Sequence, residues 1–485
     1  MTVAWGAWPR KGSNSAEGYL LGGRKVAWPI LLLSIVATET STVTFLSLPG
    51  RSFAESGNLG FLQLTLGYIV GRLLVIAFML PEYFRGEMYT AYEMLQARFG
   101  SGVRKAAAFV FLVCRTLADG LRLFLTALAL QQALGWDFAA CVLVIALATT
   151  VYATLGGVSS VVKNDCVQIT VYTIGALIAA MLIVRAVPGG ATAILDFGSS
   201  TGRFQLFDWN LGLTGDITFW SGLVGGAFLS LATHGVDHLM VQRYLCAGSK
   251  RKAALALGFS GPVVALQFLL FLLIGVGLAA FYQQAPEGYS INRPDEAFAA
   301  FLAHETPIGL CGLLFASVLA AAMSTLSSSL NASAGVVVKD LLETDAPEND
   351  PEQARKSVVN AKVATIVFAI LQTAVALGAY YGNLQSSVIG AVLGIAGFVT
   401  GILVGLFALG VLRQRVSQTA AFVALGCGFI ACTLVIGWGV AIDAGFEWAS
   451  GGERIAWPWN ALIASSTTLI AGLMADRLAP APRQT

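Results

Sequence analysis

Apolar residues recur along this chain in stretches of about 20, the length an α-helix needs to cross the hydrocarbon of a bilayer. Twelve stretches are predicted as spanning helices, near 27–48, 59–81, 105–131, 138–155, 163–185, 218–243, 254–282, 306–339, 361–381, 384–410, 418–441 and 457–476. Several exceed that length, which implies tilt or extension beyond the bilayer. The longest polar connections, 186–217, 283–305 and 339–362, leave no room for a soluble domain. The pattern predicts an all-α polytopic membrane protein.

Three spans carry polar interruptions. In ATETSTVTF (37–45), six of the seven residues from Thr38 to Thr44 are hydroxyl-bearing or charged, with Glu39 among them. Such side chains compete for nearby backbone groups and weaken a helix. Two readings fit. The helix unwinds where it faces protein or water, and its freed carbonyls become cation ligands; or it stays intact and its alcohols bond to their own turn. A second interruption, SLATHGVDH (230–238), lies in the sixth span. If spans one to five and six to ten are inverted halves, the two breaks are equivalent, and paired breaks point to a binding site at the bilayer midplane. The third, AAAMSTLSSSLNASA (320–334), offers hard oxygen ligands at Ser324, Thr325, Ser327, Ser328 and Asn331. Positions 324, 327, 328 and 331 share one helical face. Small residues there also permit close helix packing, but packing does not require five polar side chains.

Composition agrees with the pattern: 56% of residues are hydrophobic and 12% charged, with mean hydropathy +0.74, whereas soluble domains carry about 25% charged residues. With the N-terminus inside, the inner loops and ends hold 21 of the 29 Lys and Arg residues and the outer loops 5. This positive-inside bias predicts both ends cytoplasmic and a multi-pass protein of the cell (inner) membrane. The other three, Arg72, Arg115 and Arg122, fall within spans, where a charge is costly and needs a partner. Counting Glu39 and Asp119 against them leaves one positive charge, which would favour a solute carboxylate; a purely structural ion-pair network is the other reading. Seven cysteines without CxxC spacing or a His partner predict neither disulfides nor zinc. No GxxxxGK[ST] loop offers ATP as an energy source. No nucleic-acid or obligate protein partner is evident, and no cleavable signal peptide.

Several stretches together resemble the sodium:solute symporter family: GYLLGGRKVAWP, ATETSTVTFLSLPG, VYATLGGVSSVVKNDCVQ, GVDHLMVQRYLCAGSKRKA and LFASVLAAAMSTLSSSLNASA. The resemblance implies a LeuT-like 5+5 inverted-repeat core with broken first and sixth spans, within about 12 transmembrane helices. It divides the chain into a cytoplasmic segment 1–26, a first repeat 27–185, an outer loop 186–217, a second repeat 218–410, two added helices 411–476 and a tail 477–485. Family members usually begin with one further helix, and VAWGAW (3–8) resembles its tail; either the gene start is misplaced or this member begins late.

The resemblance also implies a sodium site between spans one and eight, with ligands at the carbonyls of Ala37, Thr40 and Ala321 and the hydroxyls of Ser324 and Thr325. Oxygens without a carboxylate suit a monovalent hard cation. A second sodium, as in some relatives, would use Asp165, Ser324, Ser327 and Ser328; Asp165 pairing with Lys163 or Arg243 is the competing reading. Glu39 matches an acidic coupling position of bacterial proline transporters in the family, which speaks against the sugar-transporting branch. Substrate or coupling candidates are Glu39, Thr42, Thr44, Arg72, Arg122, Ser230, Thr233 and His234. The expected function is sodium-driven import of a small organic solute, a carboxylate or a zwitterion such as an amino acid, and not catalysis. The alternatives are a proton-coupled permease of the same fold, a transporter-like sensor, or an intramembrane enzyme using Glu39, His234 and Asp237. If Asp165 holds a second ion, Asp165→Ala lowers the Hill coefficient of sodium activation; an unchanged sigmoidal response excludes that role.

Overall fold

In a computed structural model the described residues are 24–85, 90–214, 217–284, 293–342, 351–382, 388–413, 416–443 and 451–478, with 291, 446 and 449. The expectations for the N-terminal 23 residues and the last seven lie outside them. Among the described residues the backbone is helical, with no strand beyond two isolated bridges, Val26 to Ala247 and Thr214 to Ile455. Among the described residues eight helices are long and apolar enough to cross a membrane, and two bent helix pairs raise the number to as many as ten. The twelve expected spans are helical over most of their described parts; the first is broken, the sixth is interrupted, and the fourth and fifth join in one run.

The first span is broken as the hydroxyl run suggests. Its inner half, Trp28–Glu39, begins with Pro29 in the first turn, where proline costs nothing because that N–H has no helical partner. The outer half, Val43–Phe53, leaves at 62°. Between them Thr40 has φ −83° and ψ +83°, outside the helical region. The sixth span is interrupted more gradually. Wide π-type turns at Ser221–Gly225 and Leu231–Val236 flank a short α-helix. The chain then goes extended at Asp237 (φ −74°, ψ +114°), and the helix His238–Leu245 restarts on the Asp237 side chain, which accepts from the Leu239 N–H at 2.9 Å.

The third helix, Ser101–Leu134, stops at Gly135, whose left-handed φ of +64° any side chain would resist. Asp137 then caps the next helix by accepting from Ala139 and Ala140, and the two helices meet at 118°. No loop separates spans four and five: the backbone is helical from Phe138 to Ala186. Its 49 residues would extend about 74 Å if straight, so this one run supplies both expected spans.

Packing divides into two large apolar clusters. One gathers Phe45, Phe61, Phe124, Phe271 and Phe298 towards the end that carries the 54–59 and 205–217 connections. The other gathers Tyr83, Tyr92, Phe111, Tyr244 and Phe407 towards the opposite end. Between them lies a layer of buried charges and hydroxyls level with the two breaks. The outer half of span one lies against the seventh helix, Lys250–Gln284, where Ser52 Oγ donates to the Leu272 carbonyl at 2.6 Å. Gly275 makes that approach feasible, because a Cβ there would collide with the Pro49 carbonyl and Ser52 Oγ. Overpacking typically costs about 1–3 kcal/mol, so Gly275→Leu should lower the melting temperature of the purified protein; wild-type melting would show that the helices part without penalty.

Candidate functional site

The break in span one determines where its polar groups point. Helix Trp28–Glu39 closes with Thr40 N–H on the Val36 carbonyl at 2.8 Å. Ser41 N–H, which a continuing helix would give to Ala37, turns to the Glu39 carbonyl at 3.1 Å. The Ala37 carbonyl therefore loses its usual donor at the position expected to face a cation. Thr325 Oγ1 reaches across from span eight to the Thr38 carbonyl at 3.1 Å. Ala37, Thr40, Ala321, Ser324 and Thr325 are all buried around this contact. Thr40 Oγ1 turns away to Gln267 Oε1 at 2.6 Å, and Gln267 Nε2 donates to Tyr172 at 3.1 Å. This link fastens the break to the fifth and seventh spans. Sequence reasoning missed Gln267, although a lone amide within the apolar run VVALQFLLF was the available signal.

Asp165, on span five, meets span eight at Ser324. Its Oδ1 accepts from Ser324 Oγ at 2.6 Å and its Oδ2 from Ser34 Oγ at 2.5 Å. The Arg243 guanidinium stands 3.2 Å from Oδ2 and donates to Ser328 Oγ at 2.6 Å. Ser327 Oγ faces the Ser324 carbonyl at 3.4 Å. The residues expected for a second sodium thus come together, but with an arginine among them. Arg243 was counted as an inner-loop charge; it is 3% exposed within this cluster, because a buried carboxylate needs a cation and the restarted sixth helix brings one.

Beside the two breaks runs a belt of ion pairs. Glu39 pairs with Arg72, which also donates to Ser260 Oγ at 3.0 Å. His234 Nε2 is 3.5 Å from Glu39, and its Nδ1 is 2.8 Å from the Tyr244 hydroxyl. Arg122 pairs with Asp119, which also accepts from Ser329. Arg115 pairs with Asp237 at 2.8 Å. This last contact corrects the charge count. Asp237, left out at first, makes three carboxylates against three arginines, so no surplus positive charge exists. What the belt lacks is acceptors: Arg72 Nη1, Arg115 Nε, Arg122 Nε and His234 Nε2 are buried without a hydrogen bond. Unsatisfied buried donors are costly, and of these residues Arg115, Arg122 and His234 line one cavity, which marks a place for an oxygen-rich ligand.

A cavity of about 80 Å³ opens there. Thr38, Glu39, Ser41, Thr44, Arg115, Arg122, Thr233 and His234 form its polar wall, and Leu229, Phe268 and Ile389 lie among its apolar ones. Of the expected solute-facing residues, Ser230 is placed elsewhere: its hydroxyl donates to the Tyr68 carbonyl at 3.1 Å, on the face packed against span two. Thr42 meets Thr126 Oγ1 at 3.0 Å, and Arg72 acts on the cavity only through Glu39.

Two discontinuous helices, hydroxyls and carbonyls at their breaks, and a small buried cavity between them define a secondary membrane transporter. A family model for the sodium:solute symporter family matches residues 19–428, and the chain belongs to that family. Sodium-coupled monocarboxylate transporter 2 of Bos taurus is 30% identical over 425 residues, covering 87% of this chain and 67% of the relative. The sodium/sialic acid symporter SiaT of Proteus mirabilis is 27% identical, covering 88% and 85%. This chain spans about two thirds of the monocarboxylate transporter's length. A solved outward-open, substrate-bound sodium-coupled sialic acid symporter superposes with TM-score 0.84 at 26% identity, over 100% of this chain and 97% of that one. Mhp1, a nucleobase-cation-symport-1 transporter solved in a closed conformation, shares the fold at TM-score 0.58 and 14% identity, covering 98% of each. The chain is therefore a multi-pass sodium-coupled symporter with the LeuT-like fold, in a family of transporters rather than enzymes.

Removing one partner of a buried ion pair costs about 3–5 kcal/mol. Asp237→Asn, which leaves Arg115 only the longer contact to Asp119 at 3.8 Å, should lower the melting temperature, and adding Arg115→Leu should recover part of the loss. Equal melting of Asp237→Asn and wild type would show that the pair is not desolvated.

Proposed function

We propose that this symporter imports a small carboxylate with sodium by alternating access across the inner membrane, both chain ends being cytoplasmic. The observation that carries the reading is the set of buried guanidinium and imidazole nitrogens around the central cavity that lack acceptors. A carboxylate offers them acceptor oxygens in a planar geometry suited to guanidinium. Of the two solute classes expected, these donors favour the plain carboxylate over a zwitterion: Glu39, Asp119 and Asp237 are each engaged by an arginine and offer little to an ammonium. The cavity volume of about 80 Å³ lies well below the roughly 300–1,000 Å³ of drug-sized pockets. It suits an acid of a few heavy atoms, and one as large as sialic acid would require it to widen.

Sodium would bind at Ala37, Thr40, Ala321, Ser324 and Thr325, on the same broken segment as Glu39. Ion and solute then stabilise one arrangement of spans one and eight, and each raises the other's affinity. The halves 27–185 and 218–410 would move against one another. Asp165, Ser324, Ser327 and Ser328 remain the candidate for a second ion, which would have to share Asp165 with Arg243.

Uptake of radiolabelled lactate into proteoliposomes with imposed gradients tests this reading. A sodium gradient should drive accumulation and a proton gradient alone should not. Thr325→Ala should raise the half-saturating sodium concentration about tenfold, equivalent to about 1.4 kcal/mol. Uptake driven by protons and indifferent to sodium would establish the proton-coupled alternative.

A further inference from the structure

A groove lies between the third helix, Ser101–Leu134, and the ninth span, Pro351–Tyr381, where the end of span eight meets them. Its volume is about 560 Å³, within the usual range for ligand pockets. It shares no lining residue with the central cavity. Phe109, Val113 and Leu117 of span three, Val363 and Val367 of span nine and Leu342 of span eight line it, and all six are exposed. Among the described residues its only polar lining is Thr116 and Asn360. The Thr116 hydroxyl is spent on its own helix, donating to the Leu112 carbonyl at 2.8 Å.

Charge gathers at one end of this groove. Side chains four apart share a helical face, and each of the two helices has an exposed lysine four residues before its first groove residue: Lys105 before Phe109 and Lys356 before Asn360. That spacing puts each ammonium stem about 6 Å along the helix from the start of the lining. Lys356 shares an ion pair with Glu352 at 2.9 Å, but both side chains are exposed, and such a pair is worth little in water and is readily exchanged for a phosphate. Arg104, beside Lys105, fixes the same end. Its Nε donates to Asp340 Oδ1 at 2.5 Å and its Nη2 to the Lys339 carbonyl at 2.7 Å. These bonds hold the wide last turn of span eight, Val337–Leu342, against span three, and the two leucines after Asp340 line the groove.

We propose that this groove binds one anionic phospholipid from the leaflet at its lysine end, with an acyl chain along the apolar wall and the phosphate on Lys105 and Lys356 beside Asn360. Hydrocarbon fills an apolar groove that opens to the bilayer, and basic side chains at its rim choose the headgroup. The lysines lie at the end predicted as cytoplasmic, whose leaflet carries the anionic lipids. A lipid seated there bridges spans three, eight and nine, and so braces the helix that carries Ser324 and Thr325. The site does not depend on which solute is carried.

Native mass spectrometry of the purified full chain in neutral detergent tests it, with equal amounts of dioleoylphosphatidylglycerol and dioleoylphosphatidylcholine offered. The two lipids share acyl chains and differ in headgroup. Wild type should retain one phosphatidylglycerol in preference to phosphatidylcholine by about tenfold, the scale set by two lysines near an anionic headgroup. Lys105→Gln/Lys356→Gln should bring the ratio close to one. Lys362→Gln removes an exposed charge half a turn around span nine from Asn360, and should keep the preference. Val113→Trp, which fills the groove and leaves both lysines, should lower the retention of both lipids. Equal retention of the two lipids by wild type, a result that needs no substitution, overturns the proposal. So does a preference that survives the double lysine variant, one that is lost equally in Lys362→Gln, or retention indifferent to Val113→Trp.

Discussion

A peptide group in hydrocarbon has no water to bond with, and every break in a spanning helix must be satisfied by protein. The rest of this structure follows from meeting that demand twice at one depth. Span one breaks at Thr40 and span six at Asp237, and the buried polar side chains of spans two, three, five, seven and eight converge on these two points. Gln267, Thr325 and Asp237 each spend a polar atom on the broken backbone or on a residue beside it. The apolar clusters above and below keep water from supplying those bonds instead.

The charged belt belongs to the same solution. Six ionised side chains at mid-membrane would each be prohibitive alone, and as neutral pairs they are tolerated. Pairing them also fixes geometry, because Arg115 on span three is joined to Asp237 at the sixth-span break, and Arg72 on span two to Glu39 at the first. The pairs tie neighbouring spans together, which charge counting alone could not reveal.

Much of this was legible in the sequence. The hydroxyl run at 38–44 located the first break to within two residues, because competing side chains act locally and Thr40 lies at the centre of the run. The sixth-span interruption was placed correctly too, but its form was not: two π-type turns precede a single extended residue. Spans four and five were expected as separate helices, 138–155 and 163–185, and the backbone between them is helical as well. The site residues divide by range. That Ala37, Ser324 and Thr325 come together beside the first break followed from span position. Asp237 on Arg115, 122 positions away, was revealed only by packing, and packing selects Arg243 over Lys163 as the cation placed on Asp165.

The hydrogen bond from Thr325 to the Thr38 carbonyl has a further consequence. A hydroxyl coordinating a cation uses an oxygen lone pair and retains its hydrogen, which the cation makes more acidic and a better donor. Sodium arriving at Thr325 would thus strengthen the existing link between spans eight and one. The ion would act less as a plug filling a hole than as a current that tightens a clasp already closed, and its departure would loosen the same clasp without any residue having to change partner.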